Sequence, residues 1–424
     1  MEKMKWLYPG MGVKRWLALL IFGVSWVAIG LAVLLNIPVL SVVEHRLLAW
    51  LSARGLHSWV AGGIIILIGF LWIGVAIRRG IHSVVCAIRP DDTGNLVEQV
   101  YKQRNLQKGP HIVTIGGGTG LSTMLRGLKE YSSNITAIVT VADDGGSSGR
   151  IREELGILPP GDIRNTLIAL ADTEPLMEKL FQYRFSWGDG LAGHSFGNLF
   201  IAAMTDITGD FEKSIKEFSK VLAVRGRVIP STLETVQLRA RYTDGTEVVG
   251  ESSIPIPNKK IHQIYMEPER PQALPDALDA IANADIIVLG PGSLYTSVIP
   301  NLLVEPIVQA LADSSALRLY ICNVMTQPGE TDGMSASDHV KALLKHADNQ
   351  PILDYVLVNR AHISPTQAEK YRREGAYPVE ADTANLEEMG LQVISAEFLD
   401  KMDLVRHDSD RLAQEIIRLA LEHK

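Results

Sequence analysis

The chain has 424 residues, enough for one large α/β domain and something more, and its formal charge of -7 is unevenly spread. The residues up to Pro110 hold 12 Lys/Arg against 5 Asp/Glu, a local +7, which leaves the remainder at -14; an acidic body argues against a general nucleic-acid binder. Two cysteines, Cys86 and Cys322, are too few and too far apart for a zinc site and suit a reducing compartment.

The N-terminal part reads as a membrane hairpin, residues 1–79. Trp16 to Leu35 is 20 residues without a charge and Trp59 to Ile77 is 19, each about what a helix needs to cross a core of roughly 30 Å. Lys14 and Arg15 precede the first span and Arg78 and Arg79 follow the second, while the loop between holds only Glu44, Arg46 and Arg54. The positive-inside rule then puts both ends in the cytoplasm. A cleaved signal peptide fits less well, because the first run lacks a small-residue cleavage site and a second span follows it. Residues 80–109 read as a linker with Pro90, Asp91, Asp92 and Gly94, ending in a short helical stretch. Its Lys102, Arg104 and Lys108 either form a solvated face or graze anionic headgroups. Cys86, just past the second span, is an inert thiol or a lipidation site.

From residue 110 the texture changes. HIVTI is a β-branched strand that ends in Gly116, Gly117, Gly118, Thr119 and Gly120 and runs into the helical pattern LSTMLRGLKEY. Glycines admit close backbone approach, and the amides and positive dipole end of the helix favour an anion, so this corner suits a phosphate. GGGTG is not the full GxGxxG spacing, and such turns also serve plain packing. A second strand, ITAIVTVA, ends in Asp143 and Asp144, where a dinucleotide fold meets a ribose hydroxyl. The pair could instead hold a metal with bridging phosphate, or cap the next turn, where Gly145, Gly146, Ser147 and Ser148 add donors. Arg150 and Arg152 are phosphate clamps or surface helix charges. Asp162, Arg164 and Asn165 follow the rigid Pro159-Pro160-Gly161 turn, which can aim them into a cleft, although Asp162 would equally serve as a helix N-cap.

Helical spacing returns in PLMEKLFQYRF, with Thr173 as its cap and Pro175 close behind, in LFIAAMTDI, and in the amphipathic DFEKSIKEFSKVL opened by Asp210. TVQLRARYTDGTEVVGES alternates and carries the hairpin signal Asp244-Gly245. The stretches ADIIVLGPGSLYTS, LRLYICNVMTQPGETDG and DYVLVNRAHIS are apolar runs closing in polar loops, with helices between them and a final helix, RLAQEIIRLALEH. The expected fold is α/β: a Rossmann-like, doubly wound, mostly parallel sheet with a small antiparallel insertion over residues 110–424, preceded by two transmembrane helices. The turn Gly290 to Ser293, with Gly292 at its centre, repeats the logic of the first loop before a helix starting near Leu294; Tyr295 either stacks on a base or sugar or belongs to a mere bend. Asn323, Thr326 and Gln327 suit a sugar or base edge. His194 polarises a phosphate, works as acid/base, or is structural. No Ser-His-Asp or Cys-His nucleophile system and no His-rich metal set emerges, and the aromatic candidates for an acceptor pocket are Tyr295, Phe185 and Trp187.

The runs GGGTGLS, ADDGGSSGR, LPPGDIRN, GHSFGN, GPGSLYTS and NVMTQPGETDG, in this order, resemble the YvcK group of gluconeogenesis factors, itself similar to the CofD 2-phospho-L-lactate transferases. The resemblance covers Gly109 to Lys424 and not the first hundred residues. It implies binding of a nucleotide sugar of the UDP-N-acetylglucosamine type and a role in cell morphogenesis and cell-wall metabolism under gluconeogenic growth. The likeness to CofD implies the alternative, a transferase moving a phospholactyl-type group from a nucleotide-activated donor to an alcohol with Mg²⁺. The ligand residues expected on this basis are the first loop from Gly116 to Gly120, Gly145 to Ser148, Arg150, Asp162, Arg164, Asn165, His194, Asn198, Gly292, Ser293 and Tyr295. Asp143 and Asp144 are the candidate metal ligands and, with His194, the catalytic candidates. Candidate partners are the nucleotide or nucleotide sugar, the inner membrane through the hairpin, a second copy of the chain and cell-wall synthesis proteins; nucleic acid is not among them.

Overall fold

The structure, a computed structural model, describes residues 14–35, 58–88, 96–172, 175–361, 363–399 and 405–423. The loop charges Glu44, Arg46 and Arg54, the linker residues Pro90 to Gly94, and the cap Thr173 lie outside the described residues. The chain divides into two compact units, Met1–Tyr101 and Lys102–Lys424.

In the first unit two helices, Lys14–Leu35 and Ser58–Ile88, pack side by side. Glycines set the approach. A Cβ at Gly23 would lie 3.0 Å from the Gly69 carbonyl oxygen and one at Gly69 2.9 Å from that of Gly23, and Gly30 and Gly62 stand in the same reciprocal relation. Small residues that let backbones touch are the usual device of helix pairs in lipid. At one end Arg15 and Arg79 lie 4.8 and 5.6 Å from the Trp16 ring, so the basic flanks of the two helices share one end. Both helices are long and apolar enough to cross a membrane.

The second unit is built on seven parallel strands: β1 Ile112–Gly116, β2 Ile135–Val139, β3 Arg227–Pro230, β7 Ile286–Leu289, β8 Leu317–Ile321, β9 Tyr355–Asn359 and β10 Gln392–Ala396. Their spatial order is β10-β9-β8-β7-β1-β2-β3. Parallel strands covered on both faces read as continuous apolar runs, and the described residues of β1 and β7 are buried throughout. The antiparallel insertion forms a separate three-stranded sheet, β4 Gln237–Tyr242, β5 Glu247–Val249 and β6 Ile261–Glu267, in the order β5-β4-β6. Its β4–β5 turn is made at Asp244-Gly245, where Gly245 takes φ +83°. The order reverses between β1 and β7: the chain moves outward from β1 to β3 on one side, then returns to β7 and moves outward to β10. That reversal makes a crevice at the carboxyl ends of the two central strands.

Candidate functional site

The two glycine loops meet in this crevice. Gly118, at φ +70°, opens the helix Gly118–Leu128, and Gly290 turns at φ +76° after β7. A Cβ on Gly120 would lie 2.7 Å from the Pro291 carbonyl oxygen and one on Gly292 3.1 Å from that of Gly117, so the loops touch backbone to backbone. In front of them opens a cavity of about 480 Å³, within the range of small-molecule sites. Gly118, Thr119, Gly120, Ser293 and the segment Asn323 to Pro328 line it from the sheet side.

The rest of the lining comes from late segments of the chain. Tyr371, Glu374, Arg406 and His407 line the cavity, and among the described residues Arg406 is the only lysine or arginine to do so. Tyr371 Oη accepts a hydrogen bond from the Val405 amide at 3.0 Å, tying the helix Pro365–Arg373 to the Val405–His407 segment. Burial holds the His407 imidazole down at about 4, against a backbone contact with Cys322, so the ring is neutral at pH 7; its Nε2 is buried without a partner.

Behind the first loop lies a set of carboxylates. Asp162, in the helix Gly161–Leu170, packs so closely on Gly117 that a Cβ there would collide with Oδ2. Burial and then the Asp143 charge push Asp162 up to about 6, opposed by the Gly118 backbone and Arg164. Asp143 accepts from the Gly145 amide at 2.9 Å and faces Gly161, where a Cβ would lie 2.9 Å from Oδ2. The two oxygens of Asp144 accept from the Glu251 and Ser252 amides, each at 2.9 Å. It is a strut to the antiparallel insertion. Asp144 is thus engaged by backbone amides of the insertion, while Asp143 acts on both Asp162 and Glu251. Glu251 rises to about 8 through burial, then Asp143 and Asp144, and Glu330 to about 7 through burial.

Among the described residues no group of three or more His, Cys, Asp or Glu is placed to hold a metal ion. Asp143 and Asp162 offer two carboxylates. Mg²⁺ commonly takes one or two carboxylates and fills its shell with phosphate oxygens and water, so these residues fit that ion only together with a phosphorylated ligand.

The third loop region forms a buried polar network. Ser147 Oγ lies 3.2 Å from His194 Nδ1 and accepts from Asn198 Nδ2 at 3.1 Å and from the Ser195 amide at 3.3 Å. Arg164 donates to Ser195 Oγ, to Asn198 Oδ1 at 2.7 Å and to Asn165 Oδ1 at 2.7 Å. A serine against a histidine is a pairing the sequence did not reveal, since the two stand 47 residues apart. Both are buried, and neither lines the cavity; Ser148 is buried beside them and receives a 3.4 Å contact from Asn198. Burial, and then Arg150, lower the His194 pKa. Arg150 donates to the Ala192 carbonyl at 2.9 Å and Arg152 to that of Val236 at 2.6 Å, so both arginines are engaged by backbone.

The structure also gives the surroundings of Tyr295, of the Asn323 and Gln327 amides and of the helix at Leu294. Tyr295 is buried with its ring edge-on to His346 at 6.0 Å, and burial pushes its phenol up to about 12; its face is not open for stacking. Asn323 exchanges hydrogen bonds with Gly292, and Gln327 donates to Glu330, while both also line the cavity. The helix expected near Leu294 starts there, as a single π turn, Leu294–Val298, followed by the short Ile299–Leu302.

The sequence pattern of the family described as 2-phospho-L-lactate transferase CofD matches residues 112–399. A relative in Nostoc sp. is 48% identical over 98% of this chain and 92% of its own length. The "Gluconeogenesis factor" of Bacillus subtilis is 52% identical over 74% of this chain and 99% of its own. A crystal structure of a UPF0052-family protein from Bacillus halodurans superposes with a TM-score of 0.70 at 52% identity, covering 73% of this chain and 99% of that one. The likeness expected only from Gly109 onward thus extends over the N-terminal unit in the Nostoc relative, whereas the Bacillus proteins match the second unit and little more.

Proposed function

The chain belongs to the CofD family, among the gluconeogenesis factors, and from that premise we propose that it is a membrane-tethered cytoplasmic binder of a nucleotide sugar. The sugar nucleotide is of the UDP-N-acetylglucosamine type, and binding regulates morphogenesis and cell-wall metabolism under gluconeogenic growth. The observation that carries this reading is the cavity at the sheet reversal. Gly118 to Gly120, at the start of a helix, and Arg406 line the same cavity, and helix-end amides with an arginine suit an anionic diphosphate. The two apolar helices, with their basic flanks at one end, support the tether.

Calorimetric titration of residues 103–424 with UDP-N-acetylglucosamine tests it. Arg406→Ala removes charge-assisted hydrogen bonds of about 1.5–3 kcal/mol and should weaken binding tenfold or more. Equal affinity of the folded variant would move the phosphates elsewhere. The transferase reading draws on one specific observation, the Asp143 and Asp162 carboxylates beside the first loop, and requires strict Mg²⁺ dependence with release of free nucleotide.

A further inference from the structure

The helix Pro175–Gln182 turns an apolar face to solvent. Met177 and Phe181 pack on the core, yet Leu176 is 75% exposed and Leu180 and Tyr183 continue the same stripe at helical spacing. A solvated helix normally reserves that face for polar residues. The chain then enters a strap that presents Trp187, 76% exposed, and Leu191.

The strap is a fixed structure. The Phe185 amide donates to the His194 carbonyl at 2.9 Å, Gly193 to that of Phe185 at 2.8 Å and Phe196 to that of Tyr183 at 2.8 Å. Arg184 binds the Gly193 carbonyl and Arg150 that of Ala192. Trp187 is thus held out on a stapled loop, where its burial would need an outside surface.

Charge selects the surface. The second unit carries about -14 overall, but Lys179 and Arg184 balance Glu178 and Asp189 over residues 175–195, and Glu178 is itself paired with Arg126 at 2.8 Å. This stretch is therefore locally neutral within an acidic body, with Lys179 and Arg184 as its cations. Tryptophan and tyrosine among leucines, flanked by lysine and arginine, match the headgroup zone of a bilayer. We infer that the Leu176–Leu191 face docks on an anionic lipid surface, with Trp187 and Leu191 entering the interface and Lys179 and Arg184 meeting phosphates. The inference rests on the reading that the chain is held at a membrane.

The test exploits the sequence, because six of the seven tryptophans lie in residues 6–72 and Trp187 is the only one after them. The Bacillus relatives consist almost wholly of the second unit, so that unit folds on its own. Residues 103–424 are titrated with vesicles of phosphatidylcholine, alone or mixed with phosphatidylglycerol. Trp187 emission should move to shorter wavelength and be quenched by acyl-brominated lipid, more strongly with phosphatidylglycerol. Leu176→Glu with Leu180→Glu should abolish both effects while leaving the melting temperature unchanged. Unchanged emission of the folded unit at every lipid concentration overturns the docking but leaves the tether standing. A shift that grows with protein concentration in the absence of lipid overturns it in favour of a second copy. Recovery of the full-length chain in the soluble fraction of lysed cells overturns the tether itself, whatever the vesicles show.

Discussion

Glu251→Gln offers a measurable consequence of the buried carboxylates. Glu251 sits in the turn that Asp144 holds, and its carboxyl is displaced from the ordinary 4.5 to about 8, first by burial and then by Asp143 and Asp144. A carboxyl whose folded value is raised contributes its full stability below the unfolded value, and that stability is lost as pH climbs through the folded one. At about 1.4 kcal/mol per tenfold in proton affinity, ionising Glu251 in the fold costs at most about 4–5 kcal/mol. Movement of the neighbouring acids and partial solvation bring the expected effect to roughly 2–4 kcal/mol. Glutamine mimics the neutral acid, so the variant should gain that amount near pH 9 and match the parent near pH 5 (about the limits of the window). Asp162 at about 6 and Glu330 at about 7 slope the same way and leave the variant a residual pH dependence. Urea denaturation of residues 103–424 across this range is the assay. A parent equally stable at both ends, or a variant weaker than the parent at the alkaline end, would refute the carboxylate argument.

Other consequences follow from single contacts. Gly120→Val forces a side chain against the Pro291 carbonyl and should separate the two glycine loops, abolishing nucleotide-sugar binding in calorimetry. Gly118→Val meets open space beyond Ser297 Oγ at 3.5 Å but requires φ +70°, so it should lower the melting temperature as well as the affinity. Asp144→Ala removes both acceptors of the Glu251 and Ser252 amides; a loss of about 1–3 kcal/mol and faster hydrogen exchange at those amides are expected. An epitope tag in the loop 36–57 should be reachable from outside intact cells and one at Lys424 should not; labelling of the C-terminal tag would defeat the charge argument for topology.

What the sequence made legible was local. Apolar runs ending in glycine loops announced parallel strands, because a strand covered on both faces has no polar residues to spare, and Asp244-Gly245 announced the hairpin. The first glycine loop and GPGS share one pattern, a strand end with a close backbone approach, and that they meet is a fact of the fold. Side-chain partners were not legible. Asp143 and Asp144 are adjacent in the chain but have different backbone partners, Gly145 for the first and Glu251 and Ser252 for the second, and only the position of the insertion shows that Asp144 is a strut. The GPGSLYTS stretch leaves Tyr295 open between stacking and a bend, and its ring lies edge-on to His346 in the helix Ala336–His346, distant in sequence. Arg406 and His407 escaped notice for the same reason: they reach the cavity from a segment with no turn chemistry, brought there by contacts such as Tyr371 with Val405.

The most direct test of the central claim is to incubate residues 103–424 with UDP-N-acetylglucosamine, with and without Mg²⁺, follow the melting temperature, and then chromatograph the ligand. Saturation at about a hundred times the dissociation constant should stabilise the fold by about 2.7 kcal/mol. That stabilisation, with little metal dependence, and an intact nucleotide sugar recovered at the end are expected. No stabilisation by any nucleotide sugar, or stabilisation that requires Mg²⁺ and is accompanied by steady release of free nucleotide, would contradict that claim.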